Sequence, residues 1–359
     1  MKKKGITIYD TDTWNKDTDE ILTALPEIST LAGKRVLITG AAGLICSSIV
    51  DIFFRYNDTH TIPIYIYAAG RWPEEMEGRF GDRVDRKDFN FVTYDASRSD
   101  NILDIPADYI IHGASNAFPE LIIKEPVETM LSNFTGMKYL LDFAKENGTK
   151  RILYISSSEI YGQKKDTEPY REGEYGYIDL LNARNSYSVG KRAAETLCAS
   201  YAAEYGVESV IVRPGHIYGP TASPYDNRVS SRWAYMVARG EDIVMKSDGS
   251  QLRSYCYCLD CASAMLTVLI KGENGHAYNI SNPNSIINIR ELAEILTRTA
   301  DVNLRIELPT KEEKKGFNPM SNSSLDSASL TKLGWKGLFD AERGLTHTVE
   351  ILRKVSSGC

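Results

Sequence analysis

The chain has 359 residues, 42% hydrophobic and 25% charged, with a formal net charge of −6 and an isoelectric point near 5.6. That is ordinary globular composition, enough for one large domain or two modest ones of about 100–200 residues each. The acidic balance gives no electrostatic case for nucleic-acid binding, and no apolar run approaches the roughly 18–20 residues of a membrane span. The start, "MKKKGITIYDTDTW", has no apolar segment behind its lysines and does not read as a secretion signal. A cytoplasmic protein is expected.

Residues 1–32 form a polar N-terminal extension. "KRVLITGAAGLICSSIVDIFF" then reads as strand, glycine turn and helix, followed by the strands "IPIYIYAAGR", "FNFVTYDASR" and "ADYIIHGAS". The helical stretch "EPVETMLSNFTGMKYLLDFAKENG" leads into the strand "KRILYISSSEIYG". The helix "SYSVGKRAAETLCASYAAEYG", closed by a glycine, precedes the strand "VESVIVRPGHIYGP". Strands alternating with helices, without tight hairpins, predict an α/β fold with a doubly wound parallel sheet over residues 33–217. Residues 218–359 are more irregular and are assigned mainly to a smaller α/β substrate domain, with segments near 252–282 returning to the sheet. The cluster "CYCLDC" lies on a predicted strand-to-helix passage. No second Cys or His pair with ligand spacing follows it, so it reads as small buried residues, not a metal site, and reduced thiols fit the cytoplasm.

Two glycines, Gly40 and Gly43, sit at the first strand-to-helix turn. There the backbone must turn sharply and approach a pyrophosphate, and the helix N-terminus offers free N–H groups. Ala42, Leu44 and Ile45 complete this turn as a candidate dinucleotide site. The spacing G-x-x-G-x-x-G would put a third glycine at Cys46, so a slightly wider helix–strand contact is expected there. At the end of the second strand, where an acid usually holds the adenosine ribose, stand Gly70 and Arg71. Arg71 leans towards tolerating NADP as well as NAD, though stacking on adenine or plain solvation fits it equally.

Tyr187 and Lys191 in "YSVGK" are four apart on a predicted helix and share one face. A lysine ammonium near a tyrosine favours phenolate, which would let Tyr187 take a proton from a sugar hydroxyl while hydride leaves for nicotinamide. Ser157, in "SSSEIYG" at the end of the preceding strand, can hold the same hydroxyl. The same run also reads as a capped turn with Glu159 solvated.

Together "TGAAGLI", "IIHGAS", Asn133 of "SNFTG", "SSSEIYG", "YSVGK", "RPGHIYGP" and "LGW" make the chain resemble the extended short-chain dehydrogenase/reductases that modify nucleotide sugars, over roughly residues 33–355. The resemblance implies a tightly bound nicotinamide cofactor, transient oxidation at the sugar C4, and a homodimer formed through two helices per subunit. It implies Ser157, Tyr187 and Lys191 as the catalytic trio, and Asp95, Ala114, Ser115 and Asn133 as further cofactor contacts. Arg253 of "SQLRSY" falls where these enzymes use arginine on the substrate pyrophosphate.

Epimerases, 4,6-dehydratases and decarboxylases share C4 oxidation, so neighbouring side chains must separate them. Glu159 could be the extra acid or base. Its "SEIYG" is similar to the "SEVYG" of UDP-glucuronate decarboxylases, although GDP-mannose 4,6-dehydratases carry a similar Ser-Glu. The longer stretches "EYGYIDLLNARNSYSVGKRAAETLCASYAAEYGVE" and "YDNRVSSRWAYMVARGEDIVMKSDGSQLRSYCYCLD" resemble the decarboxylases too. Arg184, three before Tyr187, could grip a sugar carboxylate bidentately or form an ordinary ion pair. His216 stands where Asn is usual, as a structural histidine or a phosphate contact, and Arg228 is a further nucleotide-side candidate. The favoured expectation is UDP-glucuronate to UDP-xylose and CO2. The alternatives are a 4,6-dehydratase or 4-epimerase and, more remotely, a non-catalytic dinucleotide-binding scaffold.

Overall fold

Buried apolar runs become the strands of a parallel sheet in a computed structural model that describes residues 6–117, 119–164, 166–307 and 321–357. In chain order the strands are β1 (Arg35–Thr39), β2 (Tyr65–Gly70), β3 (Phe89–Thr93), β4 (Tyr109–His112), β5 (Arg151–Ile155) and β6 (Ser209–Pro214). The chain then leaves the sheet for β7 (His216–Tyr218), β8 (Ile243–Met245) and β9 (Leu252–Tyr257), and returns with β10 (Ala277–Ile280). The spatial order is β3-β2-β1-β4-β5-β6-β10, parallel throughout. Of the stretch 252–282, β10 and the helix before it join this layer. β9 instead centres a small second sheet with β7 and with the strands 286–288 and 322–323.

Helices cover both faces because strand side chains alternate. The principal ones are α1 (Asp12–Ala24), α2 (Leu44–Thr59), α3 (Pro73–Phe80), α4 (Pro119–Lys124), α5 (Pro126–Asn147), α6 (Ser186–Tyr205), α7 (Val229–Ala238) and α8 (Cys258–Lys271). On β1, Val36 and Ile38 join the core built with Ile49 and Val50 of α2 and Met265 of α8. Leu37 points the other way, into a core with Leu140 of α5 and Ala194 of α6. α6 stops at Gly206, whose φ of +71° is open to glycine at no steric cost.

Residues 6–32 are packed against the rest of the chain. Trp14 and Ile21 of α1 are each only 1% exposed, and α1 lies over α2, α8 and the C-terminal helix Ala341–Ser357. Buried Asp17 ties α1 to the end of β9 and to the C-terminal helix: it accepts the Tyr257 hydroxyl at 3.1 Å and meets His347 Nδ1 at 2.9 Å. Arg343 of the C-terminal helix pairs with Glu20 of α1.

The missing third glycine of the turn has a local remedy. Cys46 is 3% exposed, and a Cβ placed on Gly113 at the tip of β4 would lie 2.4 Å from its sulfur. The sulfur thus occupies the space that a side chain at 113 would take. The widening expected between helix and strand is met by a bare backbone on the neighbouring strand. Burial pushes the Cys46 thiol up to about 12, so it behaves as packing material.

Two stability measurements test this packing. Trp14→Ala should cost about 3–5 kcal/mol in urea unfolding; a change under about 1 kcal/mol would mean that α1 is not part of the folding unit. Gly113→Ala should cost about 1–3 kcal/mol by overpacking, and Cys46→Ala in the same chain should restore most of it. Additive losses in that cycle would show that the Cys46–Gly113 contact is not the cause.

Candidate active site

The sheet order reverses between β1 and β4, the place where open α/β sheets leave a crevice at the carboxyl ends of their strands. One hydroxyl fastens the two tips. Thr39 Oγ1 lies 2.7 Å from His112 Nδ1 and accepts the N–H groups of Gly113 and Ala114 at 3.2 Å each. Burial drives the His112 pKa down to about 3, so the ring stays neutral near neutral pH.

Gly40 has φ +68°, and a Cβ there would sit 3.0 Å from the backbone of Ala114. Only glycine lets the turn pass that close to the next strand. A Cβ on Gly43 would meet the Gly40 carbonyl at 3.2 Å. Gly43 is the N-cap of α2, and Leu44 and Ile45 open its first turn behind Ala42, where helix amides have no helical acceptor. This cradle suits a phosphate group. Ala114 and Ser115 line the opposite tip after β4. Asn133 is fully buried on α5, with its amide on the Thr129 carbonyl at 2.7 Å and its oxygen 3.4 Å from the Tyr154 hydroxyl. Arg71 is exposed just after β2. The Asp95 carboxylate, after β3, accepts the amide and hydroxyl of Ser97 at 3.0 and 2.7 Å.

Ser157 has the capping part considered for it. Its Oγ caps the turn Ser158–Tyr161 by accepting the Glu159 amide at 3.1 Å, and the same side chain pulls the Tyr187 phenol down against its burial. Tyr187 is 8% and Lys191 3% exposed, one turn apart on α6. The expected acidification of Tyr187 by Lys191 is not found. Burial, and next the Glu159 carboxylate, push the phenol up to about 12; Ser157, Arg228 and Arg184 pull the other way. Lys191 gives its ammonium to the Ile155 carbonyl at 2.7 Å, with Nζ 5.6 Å from the Tyr187 ring centre. Burial also lowers its own pKa to about 7. For this pair desolvation outweighs spacing.

Glu159 is not simply solvated. It lies 3.4 Å from Arg184 Nη1 and accepts the Ser188 hydroxyl at 3.4 Å. The ordinary ion pair considered for Arg184 is present, and its partner is the other residue expected to act on the sugar. His216 opens β7 opposite Tyr255 of β9, and its Nδ1 is buried without a hydrogen-bond partner among the described residues. Burial and then the charges of Arg253 and Arg228 take its pKa down to about 3. Arg253 is 4% exposed in the small sheet, donates to the Leu252 carbonyl at 2.8 Å, and is lowered by burial. Arg228 is clamped by fully buried Asp226, which also accepts the Ser231 hydroxyl at 2.8 Å.

Three supports escaped the reading of the chain: Thr39, Asp226, and the pair Glu195–Arg213. Glu195 follows Lys191 by four residues on α6 and holds Arg213 of β6 at 2.6 Å. Arg213 also donates to the Tyr161 and Tyr175 hydroxyls at 3.0 and 2.8 Å. The i+4 spacing after Lys191 was the available signal for Glu195, and the Asp-x-Arg spacing for Asp226.

Residues 36–281 match the model of the NAD dependent epimerase/dehydratase family. UDP-glucuronic acid decarboxylase 6 of Arabidopsis thaliana is 30% identical over 322 residues, 90% of each chain. Among solved structures, an epimerase of Methanothermobacter thermautotrophicus superposes with a TM-score of 0.80 at 18% identity, covering 93% of this chain and 96% of that one. A variant of the UDP-glucuronic acid 4-epimerase of Bacillus cereus, in complex with NAD and UDP-4-deoxy-4-fluoro-glucuronic acid, gives 0.75 at 19% identity, covering 89% and 99%. Fold, turn and family model agree: the chain belongs to the NAD dependent epimerase/dehydratase family.

Proposed function

We propose that the protein decarboxylates UDP-glucuronate to UDP-xylose. The observation that carries this reading is Arg184 standing with Glu159 beside Tyr187. The cation suits a sugar carboxylate, and the acid/base suits the protonation required once that carboxylate has gone. The likeness to a UDP-glucuronic acid decarboxylase over nine-tenths of both chains supports it.

Gly40, Ala42, Gly43, Leu44 and Ile45, with Asp95, Ala114, Ser115 and Asn133 and with Arg71 for the adenosine end, would hold NAD, which would supply hydride acceptance and return at C4. Tyr187, in the phenolate form that Ser157, Arg228 and Arg184 favour against burial, takes the proton of the C4 hydroxyl, which Ser157 holds in place, and Lys191 steadies the pocket from the Ile155 carbonyl. A 4-keto uronate is a β-keto acid, and its C5–C6 electron pair moves into an enolate as CO2 departs. Glu159 then governs proton delivery to C5. Arg253, Arg228 and neutral His216 face the nucleotide diphosphate, two cations and one uncharged donor or acceptor against an anion.

Exposed Val127, Met130, Leu131 and Phe134 recur at i, i+3, i+4 and i+7 on α5, a stripe that fits pairing with a second copy through α5 and α6. Among the described residues no helix is long and apolar enough to cross a membrane. The buried, unpaired thiols of Cys46, Cys198, Cys256, Cys258 and Cys261 fit a reducing cytoplasm.

Purified protein with NAD and UDP-glucuronate should release CO2 and form a UDP-pentose. Turnover of a neutral nucleotide hexose without CO2 would move the reading to a dehydratase or epimerase. Tyr187→Phe should lower kcat/KM by about 100-fold or more, and unchanged function in that variant would favour a binding scaffold. Phe134→Glu should shift the sedimentation of the protein to that of a monomer; an unchanged value would exclude this face as the dimer contact.

A further inference from the structure

We propose that Arg184 and Glu159 form an exchange pair: a uronate carboxylate takes Glu159's place on Arg184 when substrate enters, and Glu159 returns to it once CO2 has left. The proposal rests on the decarboxylase reading and adds to it how acidic substrate is told from neutral product.

The pair is built to be broken. A single contact at 3.4 Å joins Arg184 Nη1 to one Glu159 oxygen, with the two side chains 36% and 38% exposed. Pairs this open are worth about 0.2–1 kcal/mol, whereas a guanidinium meeting a carboxylate through two parallel N–H bonds is roughly twice as strong per bond as a neutral contact. Nη1 is the one guanidinium nitrogen of Arg184 with a side-chain partner among the described residues, so the rest of the fork faces no competing protein carboxylate there.

Both partners are fixed at the backbone, so only side chains need to move. Glu159 sits in the turn capped by Ser157, and Arg184 in the turn Ala183–Asn185, capped by the Asn182 side chain at 3.0 Å. Glu159 also keeps an alternative partner in the Ser188 hydroxyl, and so is not stranded when Arg184 turns away. Through the Ser188 hydroxyl, on the residue after Tyr187, Glu159 and with it Arg184 are tied to the turn of α6 that carries the phenol.

No covalent bond changes in the exchange. A pentose product carries no carboxylate and has nothing to set against Glu159, so the original pair re-forms behind it. Substrate is then held more tightly than product by the margin of the swap, and Glu159 is loose from Arg184 during the interval in which C5 needs a proton.

The test uses NAD-loaded protein in a Tyr187→Phe background, where substrate is bound without turnover, and calorimetry with UDP-glucuronate and UDP-xylose. Adding Glu159→Gln should tighten UDP-glucuronate by about 1.4- to fivefold, the span of an exposed pair, and leave UDP-xylose unchanged. Arg184→Met should weaken UDP-glucuronate and remove most of the preference for it. A ratio of the two affinities that Glu159→Gln leaves unaltered, including equal tightening of both ligands, overturns the exchange. CO2 release by the unsubstituted enzyme is measured alongside. Release with an unaltered ratio ends the exchange but keeps the decarboxylase; a shifted ratio without release keeps the exchange for a uronate-binding site of other chemistry.

Discussion

The site depends on how closely two strand tips approach. The turn after β1 passes within van der Waals limits of the backbone after β4, at a distance that no side chain on Gly40 would permit. The Thr39 hydroxyl and His112 hold that approach from inside the sheet. Everything nearer the ligand edge is hung from these tips: the opening of α2 on one side, the Ser157 turn on the next strand over, and α6 behind it. A shift of one tip would move the phosphate cradle and the phenol relative to each other, since parallel strands transmit such a shift through the ladder.

Burial, more than pairing, sets the charge states around the phenol. The Tyr187 phenol is pushed up and the Lys191 ammonium is brought down, each mainly because burial excludes water. Glu159 adds to the first effect, and the surrounding guanidiniums oppose it. The electrostatics are therefore a balance among several groups that substrate charge can tip. The two cations on the nucleotide side are likewise treated differently: Arg228 is neutralised at close range by Asp226, while Arg253 is carried into the small sheet by β9.

Residue order alone revealed whatever local sterics or helical spacing dictates. Gly40 and Gly43 declared a close-approach turn, the alternation of apolar strands and helices declared the sheet, and the four-residue step from Tyr187 to Lys191 declared a shared face. Properties decided by distant residues were not legible. The direction of the Tyr187 shift needed the depth of its pocket. The fit of Cys46 needed Gly113, 67 positions later in the numbering of the chain. Arg184 was weighed between a substrate contact and an ion pair, and only the folded chain puts Glu159, 25 residues away, at its tip. The first 32 residues read only as a polar extension because α1 packs on three separate helices from distant parts of the chain.

That last feature bears on the order in which the protein can be made. α1 (Asp12–Ala24) leaves the ribosome well ahead of the helix Ala341–Ser357, which forms one wall of its socket. During synthesis at about 5–20 residues per second, Trp14 and Ile21 wait in water for tens of seconds while the parallel sheet assembles without them. The nascent chain thus leaves part of a short greasy segment uncovered over that interval, a ready handle for a chaperone, and closes it only when that helix docks.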